Sequence, residues 1–166
     1  MHASWRAASP ATATRCRRGF STAELLLALL VFALGGALAL TLAGRIRQRL
    51  QCDRFIAELR AHATALEGHQ RRHGAWPATA AEVADLRSAP AWTQGSPFGG
   101  EYGWTAPAPG RPGRITLTAF APNLPLTLSP ADLRYIDARL DDGNLAGGRF
   151  RTGFNGWPVY LVGDSN

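Results

Sequence analysis

The sequence predicts an α+β protein in which one long N-terminal helix precedes a small head built on an antiparallel sheet. Residues 20–73 contain no proline, and apolar residues in the second half of this segment recur at helical spacing. Beyond Pro77, short alternating segments separated by turn residues are typical of strands. A chain of 166 residues is long enough for one domain of modest size and one additional segment outside it.

The first half of the long helix is apolar on every side. Residues 25–44 carry no charge, and this length is sufficient to cross about 30 Å of hydrocarbon. Glu24 stands at the edge of the segment, where an acid is costly and usually has a functional partner. The alternative is that Glu24 only marks the interfacial end of a membrane anchor. The Gly35-Gly36 pair permits close helix approach or simply flexible packing.

The second half of the helix, residues 45–73, has a single apolar face. Its apolar residues follow one another at steps of three and four: Cys52, Phe55, Ile56, Leu59, Ala63 and Leu66. Gly74 and Pro77 then supply the signals that end a helix. We expect this half to pack on a globular head formed by residues 74–166.

Within the head, a capping box from Thr79 to Glu82 predicts one short helix, and Ser129-Pro130 begins another that extends to about Leu140. Four segments have the composition or flanking turns of strands: residues 102–105, 115–120, 149–154 and 157–162. Asn155-Gly156 between the last two is the strongest signal for a two-residue hairpin turn. Together these elements predict an antiparallel sheet with two short helices.

The charge distribution argues against a nucleic-acid binder. The net charge is +6, but residues 1–19 contain four arginines and no acid. The remainder holds 14 arginines against 12 acids, a balance of +2. Binding to phosphates needs a sustained basic face, which this remainder lacks.

The N-terminal segment differs from an ordinary secretory signal. Secretory cleavage follows the apolar region, whereas here the small residue Gly19 precedes it, directly after Arg17 and Arg18. Cleavage at Gly19 would remove a charged leader and retain the apolar helix. It would also remove Cys16 and leave Cys52 unpaired, so no disulfide could form within one subunit. The alternative is an uncleaved signal anchor.

A search of the sequence for catalytic motifs finds none. His69 and His73 have the i, i+4 spacing of a zinc pair but lack the H-E-x-x-H glutamate. No nucleophile elbow, phosphate-binding loop or metal-spaced cysteine set is present. We therefore expect a protein that is not an enzyme and has no catalytic residues.

The N-terminal block resembles type IV pilin-like proteins. The resemblance covers residues 17–66. There, positive charge, a small residue, an aromatic residue, an acid and an apolar segment follow one another in the order and spacing of the family's N-terminal motif. The head matches more loosely, through short segments at residues 73–77, 97–100 and 141–143. The family includes minor pilins and the pseudopilins of type II secretion. Because the head lacks the C-terminal disulfide common in major pilins, a minor pilin or pseudopilin is favoured.

The resemblance implies how the chain is processed and assembled. A prepilin peptidase would cut between Gly19 and Phe20, and the new amino group of Phe20 would be methylated. Glu24 would pair with the amino terminus of a neighbouring subunit while residues 20–44 leave the bilayer and become the filament core. The implied partners are other pilin-like subunits, the peptidase and the inner-membrane assembly platform of pilus assembly or type II secretion.

The implied location is the bacterial inner membrane, crossed once, with the head in the periplasm, followed by an extracellular or periplasmic filament. The alternative function is an uncleaved, single-pass membrane-anchored domain that binds a ligand or scaffolds an envelope complex. Pseudopilins often stabilise the head with calcium, and Asp141, Asp142 and Asn144 around Gly143 form an oxygen-rich turn that could hold this ion. This turn lacks the full EF-hand pattern, so ordinary turn chemistry is the alternative, and no other cofactor is expected.

Overall fold

The computed structural model describes residues 21–120, 125–153 and 155–163. The predicted cleavage residues Gly19 and Phe20 lie outside these ranges. The chain divides into two compact units, one ending at Leu42 and the other beginning at Ala43. The predicted α+β class is confirmed: a helix of 52 residues precedes a four-stranded antiparallel sheet, which is the architecture of pilin-like proteins.

Helix α1 spans Thr22–His73. Its last turn contains Arg71, Arg72 and His73, and the charges of the two arginines suit the negative end of the helix dipole. Gly74 follows with φ +71°, the left-handed conformation that commonly ends a helix, and its amide donates to the carbonyl of Gln70. The predicted end of the long helix is thus confirmed.

The second unit contains all the remaining elements. In chain order they are a 3₁₀ turn (Ala80–Glu82), α2 (Ala84–Arg87), α3 (Pro90–Gln94), β1 (Glu101–Thr105), β2 (Gly113–Thr118), α4 (Pro130–Leu140), β3 (Phe150–Thr152) and β4 (Pro158–Val162). The predicted capping box at Thr79 and the predicted helix beginning after Ser129 are both present. Helix α3 was not predicted, because five residues are too few to show a helical period.

The strands form one sheet in the order β1-β2-β4-β3, with every neighbouring pair antiparallel. Ile115 lies at its centre, opposite Trp104 of β1 and Tyr160 of β4. The predicted hairpin between β3 and β4 is confirmed, but its turn is longer than two residues. The amide of Gly153 closes it by donating to the carbonyl of Trp157 at 2.7 Å.

The core of the second unit lies between α1 and the sheet. All six α1 residues predicted to face the head are buried, and Phe55 is completely inaccessible. The Phe55 ring packs edge-on against Phe98, at 5.8 Å between ring centroids, and stacks on Tyr102 at 6.1 Å. The remaining buried apolar residues come mainly from the sheet and α4: Ile115, Leu117, Leu133, Ile136, Phe150, Tyr160 and Val162.

A buried carboxylate on α4 links this helix to α1 through a hydrogen bond. Asp132 accepts hydrogen bonds from Gln48 Nε2 at 2.8 Å and from the amide and hydroxyl of Ser129 at 3.0 and 2.6 Å. The thiol of Cys52 points at the same carboxylate, 3.7 Å away. Burial, reinforced by the charge of Asp132, raises the pKa of Cys52 to about 11, so the thiol stays protonated and acts as a donor.

Candidate functional site

Glu24, the acid at the start of the apolar helix, takes part in a local capping box. The amide of Ser21 donates to Glu24 Oε2 at 2.8 Å, and the amide of Glu24 donates to Ser21 Oγ at 3.2 Å. This reciprocal pair satisfies two amides at the helix N-terminus, where a negative charge also suits the helix dipole. Sequence reasoning missed this role, although Ser21-Thr22-Ala23-Glu24 is the S-x-x-E signature of a capping box.

The capping box leaves Glu24 able to accept further hydrogen bonds. A carboxylate offers two oxygens with about four acceptor positions, and the Ser21 amide occupies one position on Oε2. Both Ser21 and Glu24 are exposed. A donor from another molecule could therefore reach Glu24 without displacing the cap.

The helix surface that follows Glu24 is apolar and uncovered. Eleven large apolar side chains are between 49 and 79% exposed: Leu25, Leu26, Leu27, Leu29, Leu30, Val31, Phe32, Leu34, Leu38, Leu40 and Leu42. By length and composition this is one helix able to cross a membrane, with a mean hydropathy of 2.6 over its most apolar part. A helix that is apolar on all sides requires lipid or other helices around it.

Two further features of this surface suit an apolar environment. The hydroxyl of Thr41 donates to the carbonyl of Ala37 at 2.8 Å, so its polar group is satisfied within the helix. A Cβ atom added at Gly35, Gly36 or Gly44 would meet nothing within 4 Å in the part of the chain that the structure describes. Among the described residues, no packing contact requires glycine at these positions, and they are open to the close approach of another helix.

A second candidate site lies at the C-terminal end of α4. One carboxylate oxygen from each of Asp137, Asp141 and Asp142 lies within 4.8 Å of the other two. Asp137 is completely buried, whereas Asp141 and Asp142 are exposed. Burial and the negative charges of Asp142 and Asp141 raise the pKa of Asp137.

This cluster shares two residues with the turn predicted from the sequence and adds a third. Asp141 and Asp142 are present in both, but sequence reasoning missed Asp137. The side chain of Asn144 instead accepts a hydrogen bond from the amide of Ala146 at 3.2 Å. Asp137 follows Ile136 and lies four residues after Leu133, which places it on the buried side of α4. An acid at such a position is the signal that could have identified it.

The buried histidine of α1 belongs to the core. His62 is 2% exposed and packs edge-to-face against the rings of Tyr102 and Trp92, at centroid distances of 4.8 and 5.0 Å. Burial lowers its pKa to about 4, so the ring is neutral at physiological pH. Its Nε2 atom has no hydrogen-bond partner among the described residues.

Comparison with known proteins gave no match to a family model, a curated protein or a solved structure. Two features of the chain itself are therefore the basis for a functional assignment. One is the uncovered apolar surface of α1 with Glu24 at its N-terminus. The other is the acidic cluster at the end of α4.

Proposed function

We propose that this protein is a structural, non-enzymatic subunit of a type IV pilus-like filament, a minor pilin or pseudopilin, that is processed after Gly19. One observation carries the proposal: the apolar surface of residues 25–42 is exposed on all sides and begins with a single acid. In the membrane, lipid covers this surface. In the filament, the corresponding helices of neighbouring subunits cover it.

The physics of the apolar surface allows this exchange of surroundings. Lipid tails are about as apolar as leucine side chains, so transferring these residues from lipid to a helix bundle changes their solvation little. The charged group then determines the axial alignment of subunits. An unpaired carboxylate inside an apolar bundle is destabilised by several kcal/mol, and only an alignment that supplies a cation avoids this penalty.

The capping box fits such a pairing. After cleavage, the amino terminus would lie on Phe20, next to the Ser21 amide that donates to Glu24 within its own chain. The amino terminus of a neighbouring subunit would use the acceptor positions that remain on the Glu24 carboxylate. The proposed partners are thus other pilin-like subunits, together with a prepilin peptidase and an inner-membrane assembly platform, with the head in the periplasm before assembly.

The test separates the charge of Glu24 from its capping role. Glu24→Gln removes the charge and can retain a capping box, Ser21→Ala weakens the capping box and retains the charge, and Glu24→Ala removes both. Each variant is expressed in the native host, and its amounts in the membrane and in sheared or secreted filaments are measured by immunoblot. We expect normal membrane insertion throughout, at least tenfold loss from filaments for both Glu24 variants, and near-normal assembly of Ser21→Ala.

A different pattern would contradict the pairing. If Glu24→Gln assembled as well as the wild type while Ser21→Ala and Glu24→Ala did not, Glu24 would act only as a helix cap. Processing is tested separately by the intact mass of the protein from the native host, which should correspond to a chain beginning at Phe20.

The alternative function is a single-pass membrane-anchored domain of the cell envelope that binds a ligand or scaffolds a complex. The same helix length and composition support this anchor. An intact mass that includes residues 1–19, together with a monomer in mild detergent, would favour the anchor over the filament subunit.

A further inference from the structure

We propose that Arg45 and Arg49 bind the phosphate of an anionic phospholipid, phosphatidylglycerol or a lipid of the same charge, in a cleft between α4 and the part of α1 that belongs to the second unit. The inference rests on the membrane-bound state of the chain, which the proposed filament subunit and the alternative anchored domain share. It goes beyond both of them, because neither assigns a lipid to the head.

Arg45 and Arg49 follow the apolar segment of α1 closely in the sequence. Residues 25–44 carry no charge, and Arg45 is the next residue. A cation at the end of a membrane-spanning segment extends to the interface, where the lipid headgroups lie. The headgroup layer adds about 5–8 Å on each side of the hydrocarbon core, and four helical residues rise about 6 Å. Both arginines therefore lie at headgroup depth when residues 25–44 span a membrane.

The structure places the two arginines at one cleft of the head. They are four residues apart on α1 and so share one face of this helix. The residues that line the cleft include Arg45, Gln48, Arg49, Ala131, Asp132 and Tyr135. Its volume of about 210 Å³ is several times the roughly 30 Å³ that one water molecule occupies. A phosphate group can therefore enter between the two guanidinium groups.

The two arginines are available for an external anion. Both are exposed, and neither belongs to an ion pair among residues 21–120, 125–153 and 155–163. Four other arginines of the same ranges do pair with an acid: Arg54, Arg72, Arg139 and Arg149. A guanidinium group presents its N–H donors in a fork that matches two oxygens of one phosphate. Two such groups at one cleft favour a bound phosphate.

The acid in the cleft does not cancel this charge. Asp132 is the one acidic residue among those that line the cleft. It is 6% exposed and accepts hydrogen bonds from Gln48 and Ser129. Because these donors of the protein already stabilise its carboxylate, the exposed charge of the cleft is that of the two arginines.

Exposed apolar residues beside the arginines favour a lipid over free phosphate. Ile46 and Leu50 are 59 and 64% exposed, and each directly follows one of the two arginines in the sequence. At a membrane surface, apolar side chains enter the boundary between headgroups and acyl chains while neighbouring cations contact the anionic headgroups. A free phosphate would engage the arginines but leave Ile46 and Leu50 in water. A phospholipid accounts for both kinds of side chain.

The test uses the full chain, extracted from membranes into a non-ionic detergent. Dioleoyl phosphatidylglycerol or dioleoyl phosphatidylcholine is titrated into the micelles, and bound lipid is counted by native mass spectrometry. Because one arginine near an anionic surface strengthens binding about fivefold, we expect the apparent dissociation constant to be about tenfold or more lower for phosphatidylglycerol. A large excess of sn-glycerol 3-phosphate should displace little of this lipid, since it has no acyl chains.

Four single variants locate the site. Arg45→Gln and Arg49→Gln should each weaken phosphatidylglycerol binding about fivefold, and together about 25-fold. Arg47→Gln removes the same charge from the same segment, but Arg47 does not line the cleft. As the matched control, it should weaken binding by no more than about twofold, because salt screens an exposed charge. Ala131→Leu changes an exposed residue, keeps every charge and fills the cleft, so it should weaken binding at least as much as Arg45→Gln.

Residues 1–19 carry four further arginines, so the variants and not the lipid preference alone locate the site. Equal binding of the two lipids would overturn the inference. Equal losses for Arg47→Gln and Arg45→Gln, or unchanged binding by Ala131→Leu, would show diffuse attraction and also overturn it. Displacement by sn-glycerol 3-phosphate would show a site for free phosphate instead. All these outcomes leave the filament proposal intact, whereas a chain recovered from cells without detergent would overturn both.

Discussion

Replacing Asp132 by alanine should weaken the attachment of α4 to α1. Asp132 is 6% exposed and accepts hydrogen bonds from Gln48 on α1 and from Ser129 at the start of α4. The substitution removes the capping box and leaves the Gln48 amide group without its acceptor. A helix cap contributes about 1 kcal/mol, and a hydrogen bond to a charged group about 1.5–3 kcal/mol. We expect the free energy of unfolding to fall by about 3 kcal/mol.

The loss should depend on pH in a defined direction. Burial raises the pKa of Asp132, but hydrogen bonds from Ser129 and Gln48 outweigh this effect and lower it below the ordinary value of 3.8. The folded state therefore favours the ionised carboxylate. Its contribution is fully present above pH 3.8 and disappears as the pH falls through the lower pKa of the folded state. The difference between wild type and variant should shrink in that range.

The assay is urea unfolding of the detergent-solubilised chain, followed by tryptophan fluorescence, because four of the five tryptophans lie in the head. Asp85→Ala is the control, since its ion pair with Arg72 is exposed and spans 3.7 Å. This change should cost less than about 1 kcal/mol. A double-mutant cycle with Gln48→Ala should give a coupling of about 1–2 kcal/mol. A loss below 1 kcal/mol for Asp132→Ala, or zero coupling, would refute the reasoning.

Two further predictions concern the core. Burial lowers the pKa of His62 to about 4. Below pH 6.5 the imidazole therefore becomes protonated in the unfolded chain while it stays neutral in the folded chain until the pH approaches 4. The free energy of unfolding should therefore decrease by up to about 1.4 kcal/mol for each unit by which the pH is lowered from 6.5 to 4. His62→Phe should remove this pH dependence from the free energies of urea unfolding measured across that range. Phe55→Ala should cost about 3–5 kcal/mol in the same assay. Leu50 is exposed, so Leu50→Ala should lower the free energy of unfolding by about 0.5 kcal/mol or less. If Phe55→Ala and Leu50→Ala caused equal losses of stability, the described core would be contradicted.

Patterns that repeat along the chain were predictable. The six α1 residues that face the head could be identified because burial on one side of a helix imposes a period of 3.6 residues. Helix α4 and the β3–β4 hairpin were also predictable, since Ser129-Pro130 and Asn155-Gly156 are local signals that act within a few residues. Helix α3 was missed because Pro90–Gln94 is little longer than one turn.

The sequence by itself determined the long helix, its uncharged apolar segment and the acid at the N-terminal edge of that segment. Each of these follows from the composition and spacing of neighbouring residues, so no distant contact was needed to recognise them. Only the tertiary structure decided which polar groups became buried. Asp132 accepts a hydrogen bond from Gln48, which lies 84 residues earlier in the sequence. Asp137 is buried because α4 packs against the core. Burial depends on what covers a residue from elsewhere in the chain, and this is why the chemically distinctive acid of the head appeared only in the folded protein.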